Sequence, residues 1–220
     1  MTSLSEVLPK QQLEERFGSR LILTEFSKAD LKKIVEMKPE SLHGIAGNVW
    51  NRIVARQWRR VDPKMFARQF DRNDPYLYLH ISDSLGIEVI RDIYYAKAWQ
   101  NSRRERNVVA EVLVAWVYRS DLNLADVTFV DHSAPIPKSE RKSVLQTHKG
   151  LGLLPVLLEN MEGVAEKIGC EQLTLIAATK DEMKLFARYG FKVEDSDLAR
   201  FAMKMGVAIT MDRDVRRPRV

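Results

Sequence analysis

The chain has 220 residues, 45% hydrophobic and 30% charged, with a formal net charge of +5 and a pI near 9.3. That composition suits one well-packed α/β domain and excludes a low-complexity or disordered chain. The single cysteine, Cys170, excludes an internal disulfide and a cysteine-only metal site, and no other His/Cys/Asp/Glu spacing points to a metal. With no signal sequence and no apolar run of spanning length, a cytoplasmic protein is expected.

Residues 1–20 read as a polar arm ahead of a domain covering 21–212, with 213–220 as a basic tail. Leu21 to Phe26 is compact and apolar enough for a first strand, and Ser27 followed by Asp30 is a helix start. From Glu40 to Val61, Leu42, Ile45, Val49 and Ile53 fall on one stripe, with Trp50 and Trp58 near its edge, so this stretch predicts an amphipathic helix ended by Asp62-Pro63. Pro63 opens a second short helix through Phe66 to Phe70, and Asn73, Asp74 and Pro75 form a turn.

Tyr76 to Ile81 is aromatic and β-branched, which predicts a strand. Ser84 to Gln100 places Ile87, Ile90 and Ile93/Tyr94 at helical spacing; a helix is favoured, although Ile87 to Ile90 also alternates as a strand. Val108 to Tyr118 is apolar on both faces and predicts a central strand. Asp126 to Asp131 is a further short strand, and Ser133 to Ser143 a loop.

Basic residues cluster at Arg52, Arg56, Arg59 and Arg60, continued by Lys64, Arg68 and Arg72, and again at Arg213, Arg216, Arg217 and Arg219. Such clusters read first as solvated faces and a frayed tail; an anionic partner, nucleic acid included, is the alternative.

Thr147-His148-Lys149-Gly150-Leu151-Gly152 runs directly into the helix-periodic Leu154, Leu157/Leu158, Met161, Val164/Ala165 and Ile168. Glycines one residue apart let backbone approach a phosphate, and the free amides of a helix's first turn bind it with help from the helix dipole. Gly169-Cys170 then stops the helix, Gln172 to Ala178 reads as a buried strand, and Asp181 to Tyr189 as a helix ending in Gly190-Phe191. This order, with Leu185-Phe186-Ala187-Arg188-Tyr189-Gly190-Phe191, resembles the acyl-coenzyme A binding half of the GNAT superfamily of N-acyltransferases.

The resemblance implies an α/β fold with a single mixed, mostly antiparallel central sheet flanked by helices, here with extra helices in the N-terminal half. It implies acetyl-coenzyme A as cofactor, bound by Thr147, His148, Lys149, Gly150, Leu151, Gly152 and Phe186, with its pantetheine arm between the splayed fourth and fifth strands. The implied activity is acetyl transfer to a primary amine by direct attack in a ternary complex, by a monomer or homodimer. Thr147 stands where the family has Arg or Gln, and Phe186 where it often has an acid tyrosine. Tyr189 is therefore the candidate acid, and Asp131 and His132, after the Asp126 strand, are candidate bases. Glu111 reads as a strand-face or ion-paired carboxylate, with a shifted base as the alternative, and His43 and His80 as packing residues. Transfer of longer acyl chains, from coenzyme A or an acyl carrier protein, and a nucleic-acid-directed modification protein are the competing functions.

Overall fold

The computed structural model describes residues 3–18, 20–57, 74, 76–86, 88–101, 106–117, 120–129, 139 and 152–215. Among the described residues, seven strands form one sheet in the order β1-β2-β3-β4-β5-β7-β6. They are β1 (Leu21–Ser27), β2 (Ile90–Asn101), β3 (Arg106–Val117), β4 (Asp121–Phe129), β5 (Gln172–Thr179), β6 (Lys192–Val193) and β7 (Val207–Asp214). Every neighbouring pair is antiparallel except β4 and β5, which run parallel. The helices are α1 (Lys10–Phe17), α2 (Leu31–Met37), α3 (Pro39–Gln57), α4 (Leu77–Leu85), α5 (Leu153–Ile168), α6 (Lys180–Ala187) and α7 (Asp197–Met205).

Two apolar clusters cover the two faces of the sheet. One joins α5 and the N-terminal segment to Val112, Val114, Leu122, Leu173 and Leu175. The other joins α2, α3 and α4 to Ile93, Tyr95, Leu113, Ala115 and Val117. Strands covered on both sides lose the apolar-polar alternation that marks a half-exposed strand. That is why Ser84 to Gln100 misleads: the expected helix is in fact β2, with Tyr94 facing one cluster and Tyr95 the other.

The strand expected at Tyr76 to Ile81 is instead the helix α4. Leu77, Tyr78 and Ile81 are buried while Leu79 and His80 are exposed, a helical spacing that outweighs aromatic content. His80 is accordingly not a strand packing residue; its Nε2 lies 2.9 Å from Asp74 on the surface. The strand expected from Asp126 begins earlier, at Asp121, and is described to Phe129. Residues 4–17 are not a loose arm: Asn160 of α5 donates to Gln12 Oε1, Lys167 of α5 pairs with Glu6, and Leu4, Val7, Leu8 and Leu13 are buried.

The helix start expected at Ser27 and Asp30 is present, closed by a capping box. The helix expected from Glu40 runs from Pro39 to Gln57, with Leu42 and Ile45 buried. The short helix expected at Phe66 to Phe70 and the loop Ser133 to Ser143, Ser139 apart, lie outside the described residues.

Candidate active site

β4 and β5 pair at four positions, from Asp121↔Gln172 to Leu124↔Leu175. Beyond Leu124 and Leu175 both strands continue, to Phe129 and Thr179, without pairing to each other. The pair therefore opens into a fork at its C-terminal end. The register of β3 against β4 shifts between Leu113↔Asp126 and Val114↔Leu124, leaving Ala125 as an extra residue where the fork begins. A bulge of this kind bends its strand and breaks the ladder locally.

α5 aims its N-terminus at the fork. Its C-terminal end returns the chain to the start of β4, where Glu171 N donates to Ser120 O at 2.6 Å, so Leu153 lies at the other end, where β4 and β5 part. Gly152 precedes the helix at φ +71° with nothing within 4 Å of where a Cβ would sit. Among the described residues the first turn has no acidic residue and no side-chain cap, which leaves the amides of Leu153 and Leu154, Pro155 having none, for another acceptor. The C-terminal edge of parallel strands beside a helix N-terminus is where α/β sheets bind anionic ligands.

On the opposite face, α3 lies over the fork: a Cβ on Gly44 would sit 3.6 Å from Ile176 Cδ1, and Ile176 is the first β5 residue past the last β4 pair. On this face a set of charged side chains meets at the root of the fork. Lys38, between α2 and α3, donates to Asp126 Oδ2 at 2.6 Å and lies 2.5 Å from Glu111 Oε1. Tyr95 Oη donates to the same Glu111 oxygen at 2.7 Å, and Lys97 lies 3.5 Å from Glu111 Oε2. Burial alone would raise the Glu111 pKa, but hydrogen bonds from Lys38 and Tyr95 outweigh it and hold the carboxyl below its ordinary range. Burial likewise favours a neutral Lys38, yet Asp126 and Glu111 prevail and its pKa is raised. Glu111 is thus an ion-paired carboxylate, as its place in an apolar strand suggested.

Of the expected site residues, Gly152, Phe186 and Tyr189 fall among those described; Asp131, His132, Thr147, His148, Lys149, Gly150 and Leu151 lie outside them. Phe186 is buried and packs edge-on against Phe191, centroids 5.9 Å apart. Tyr189 O accepts from Arg213 Nη1 at 2.8 Å, and Arg213 is the β7 partner of Leu173. The Tyr189 backbone carbonyl is thereby tied to β7 through the Arg213 side chain. Arg213, assigned to the basic tail by sequence, is a strand residue paired with Glu162 at 3.1 Å. Lys38, Tyr95 and Asp126 were not singled out in the sequence, and no local motif marks them, because they converge from three separate elements.

No protein-family model and no curated protein matches the chain. Solved structures do. Nourseothricin acetyltransferase aligns with a TM-score of 0.38 and 16% identity over 57% of this chain, which spans 65% of that one, just under two thirds. The ribosomal-protein-S18-alanine N-acetyltransferase of Escherichia coli aligns at 0.36 and 14%, covering 90% of this chain and 96% of its own. The acetyltransferase yncA of Salmonella typhimurium, solved with its cofactor acetyl-CoA, aligns at 0.34 and 15%, over 91% and 96%. Each is an acetyltransferase by name. The architecture is read from this chain's own strand order, fork and helix terminus. Those three features agree with the GNAT-like architecture expected from Thr147 to Phe191.

Proposed function

We propose that the chain is an N-acetyltransferase that moves an acetyl group from acetyl-coenzyme A to a primary amine, with both bound together. The observation that carries this reading is the fork between β4 and β5 with the uncapped N-terminus of α5 at its open end. The residues present suit the coenzyme: Gly152 offers room and left-handed backbone, and Leu153 and Leu154 in the first turn of α5 offer amides, the turn itself carrying no acidic residue. Amides around Lys149, Gly150, Leu151 and Gly152 would hold its phosphates, with Thr147, His148 and Phe186 assigned to the same cofactor. The coenzyme supplies an acyl group activated as a thioester.

The chain's own part is to bind, orient and move protons. The fork would admit a slender arm between two strands, with Gly44 of α3 close to Ile176 on the other side. Holding two reactants in line supplies much of the acceleration. Asp131 and His132, following Phe129 at the open end, are assigned removal of the amine's proton. Phe186 has no proton to give, so Tyr189 is assigned protonation of the leaving thiolate.

Release of free coenzyme thiol from acetyl-, octanoyl- and palmitoyl-coenzyme A, against a panel of primary amines, tests this. Acetyl-coenzyme A is expected to be consumed fastest, in an amine-dependent reaction. Faster use of palmitoyl-coenzyme A would favour the longer-chain reading, and no amine-dependent release from any donor would oppose the proposal. His132→Gln is expected to lower kcat by about 10²-fold while leaving the KM for the donor within about twofold.

A further inference from the structure

Where α3 crosses the fork, two polar side chains are buried with an oxygen left unpaired. Asn48 Oδ1 on α3 and Thr210 Oγ1 on β7 have no hydrogen-bond partner among the described residues, and each residue is only 5% exposed. Both lie around Ile176, the first β5 residue past the last β4 pair. Thr210 is the β7 partner of Ile176, so the two side chains leave the sheet on the same face, about 5 Å apart. Gly44 stands close to Ile176, and Gly47 and Asn48 follow it at the i+3 and i+4 positions, on the same side of α3. Gly47 has nothing within 4 Å of where a Cβ would sit, so this side of the helix leaves space. His43 Nε2, on the residue before Gly44, is also buried and unpartnered. A buried hydroxyl without a partner loses its hydration and gains nothing in return. Valine has the same shape and no such penalty, so the fold alone gives no reason for a hydroxyl at Thr210.

We infer that Asn48 and Thr210 recognise the acceptor, and that the acceptor is a primary amine bearing a carboxamide, free or as the first peptide unit of a chain. The inference rests on the acetyltransferase reading of the fork. The two unpaired groups are neutral and complementary: Asn48 Oδ1 only accepts, while the Thr210 hydroxyl can donate. A carboxamide supplies the matching pair, an N–H for Asn48 and a carbonyl oxygen for Thr210. A carboxylate has no donor for Asn48, and it would bring a negative charge to the face that already holds Glu111 and Asp126. A hydrocarbon chain leaves both groups unpaired. A site built to hydrogen-bond its substrate rejects such analogues because its own buried groups then stay unsatisfied. Asn48 and Thr210 therefore set specificity, while removal of the amine's proton stays with Asp131 and His132.

The full chain is given acetyl-coenzyme A with L-alaninamide, L-alanine or sec-butylamine, amines of similar size that differ in the group beside the amine, and release of coenzyme thiol is compared per unprotonated amine. Alaninamide is expected to be used with a kcat/KM about tenfold or more above either of the others. Trialaninamide separates the two sources of a carboxamide: a rate above that of alaninamide places it in a peptide, a rate below in a small molecule, and both support the class. Thr210→Val is expected to raise the urea midpoint, because it removes an unpaired buried hydroxyl, and to raise the KM for the carboxamide about tenfold while leaving that for acetyl-coenzyme A within about twofold. Thr210→Ser keeps the hydroxyl and is expected to keep the KM within about threefold. Use of alanine or sec-butylamine at or above the rate of both carboxamides, no use of either carboxamide, or a Thr210→Val chain that loses stability or keeps its KM overturns the inference. If coenzyme A still stabilises the fold in those cases, this inference alone fails. If coenzyme A gives no stabilisation, the acetyltransferase reading fails and takes the inference with it.

Discussion

Glu111 carries more of the site's electrostatics than any other described residue, because Lys38, Tyr95 and Lys97 all converge on its carboxylate. Removing one partner of a buried pair costs more than the pair contributes, since the remaining charge stays desolvated. Glu111→Gln is expected to lower unfolding stability by roughly 3 kcal/mol, read from the urea midpoint. The same network fixes a pH window. The folded Glu111 pKa is depressed, so its contribution is complete above the ordinary carboxylate range and is lost as pH falls through the lower folded value. The folded Lys38 pKa is raised, so its contribution is complete below the ordinary lysine range and is lost as pH rises through the higher folded value. Urea midpoints measured from pH 3 to 11 are expected to show a plateau between those ranges, and Glu111→Gln to flatten its acid edge.

Among elements, α5 holds the fold to the proposed cofactor. Gly152 at φ +71° lies in the region that costs a residue with a Cβ roughly 1 kcal/mol. Gly152→Ala is expected to lower stability by about that amount and to weaken coenzyme A binding about fivefold or more, measured by calorimetric titration. Deleting residues 1–17 would uncover α5 by removing the buried Leu4, Val7, Leu8 and Leu13, and is expected to lower the melting temperature by several degrees in a thermal scan. α5 was legible in the sequence because its apolar residues repeat at helical spacing between Gly152 and Gly169, both left-handed. The segment from Tyr76 to Gln100 was not: buried strand and short helix share a composition there, and only the pairing of β2 with both β1 and β3 separates them. β6, a two-residue strand, carried too little pattern to be read; α7 carried a Ser196 cap and a Gly206 stop that the sequence reading did not use. The Lys38–Glu111–Asp126 cluster was hidden for a different reason: its members lie up to 88 residues apart, and it takes the register of β3 against β4 and the packing of the α2–α3 junction on the sheet to bring them together.

At the scale of the molecule, one mostly antiparallel sheet has a single parallel pair, and the molecule's candidate site is where that pair fails to close. α5 and the N-terminal segment cover one face, α2, α3 and α4 the other, and no helix among the described residues is long and apolar enough to cross a membrane. A ligand held by the fork and by α5 touches elements that come together only in the folded chain, so it must stabilise the fold by mass action. Thermal unfolding with and without millimolar coenzyme A measures this most directly. At about 100 times its dissociation constant, coenzyme A is expected to add about 2.7 kcal/mol, raising the melting temperature by roughly 5 to 10 °C. An unchanged melting temperature at millimolar coenzyme A would contradict the assignment of the fork as an acyl-coenzyme A site.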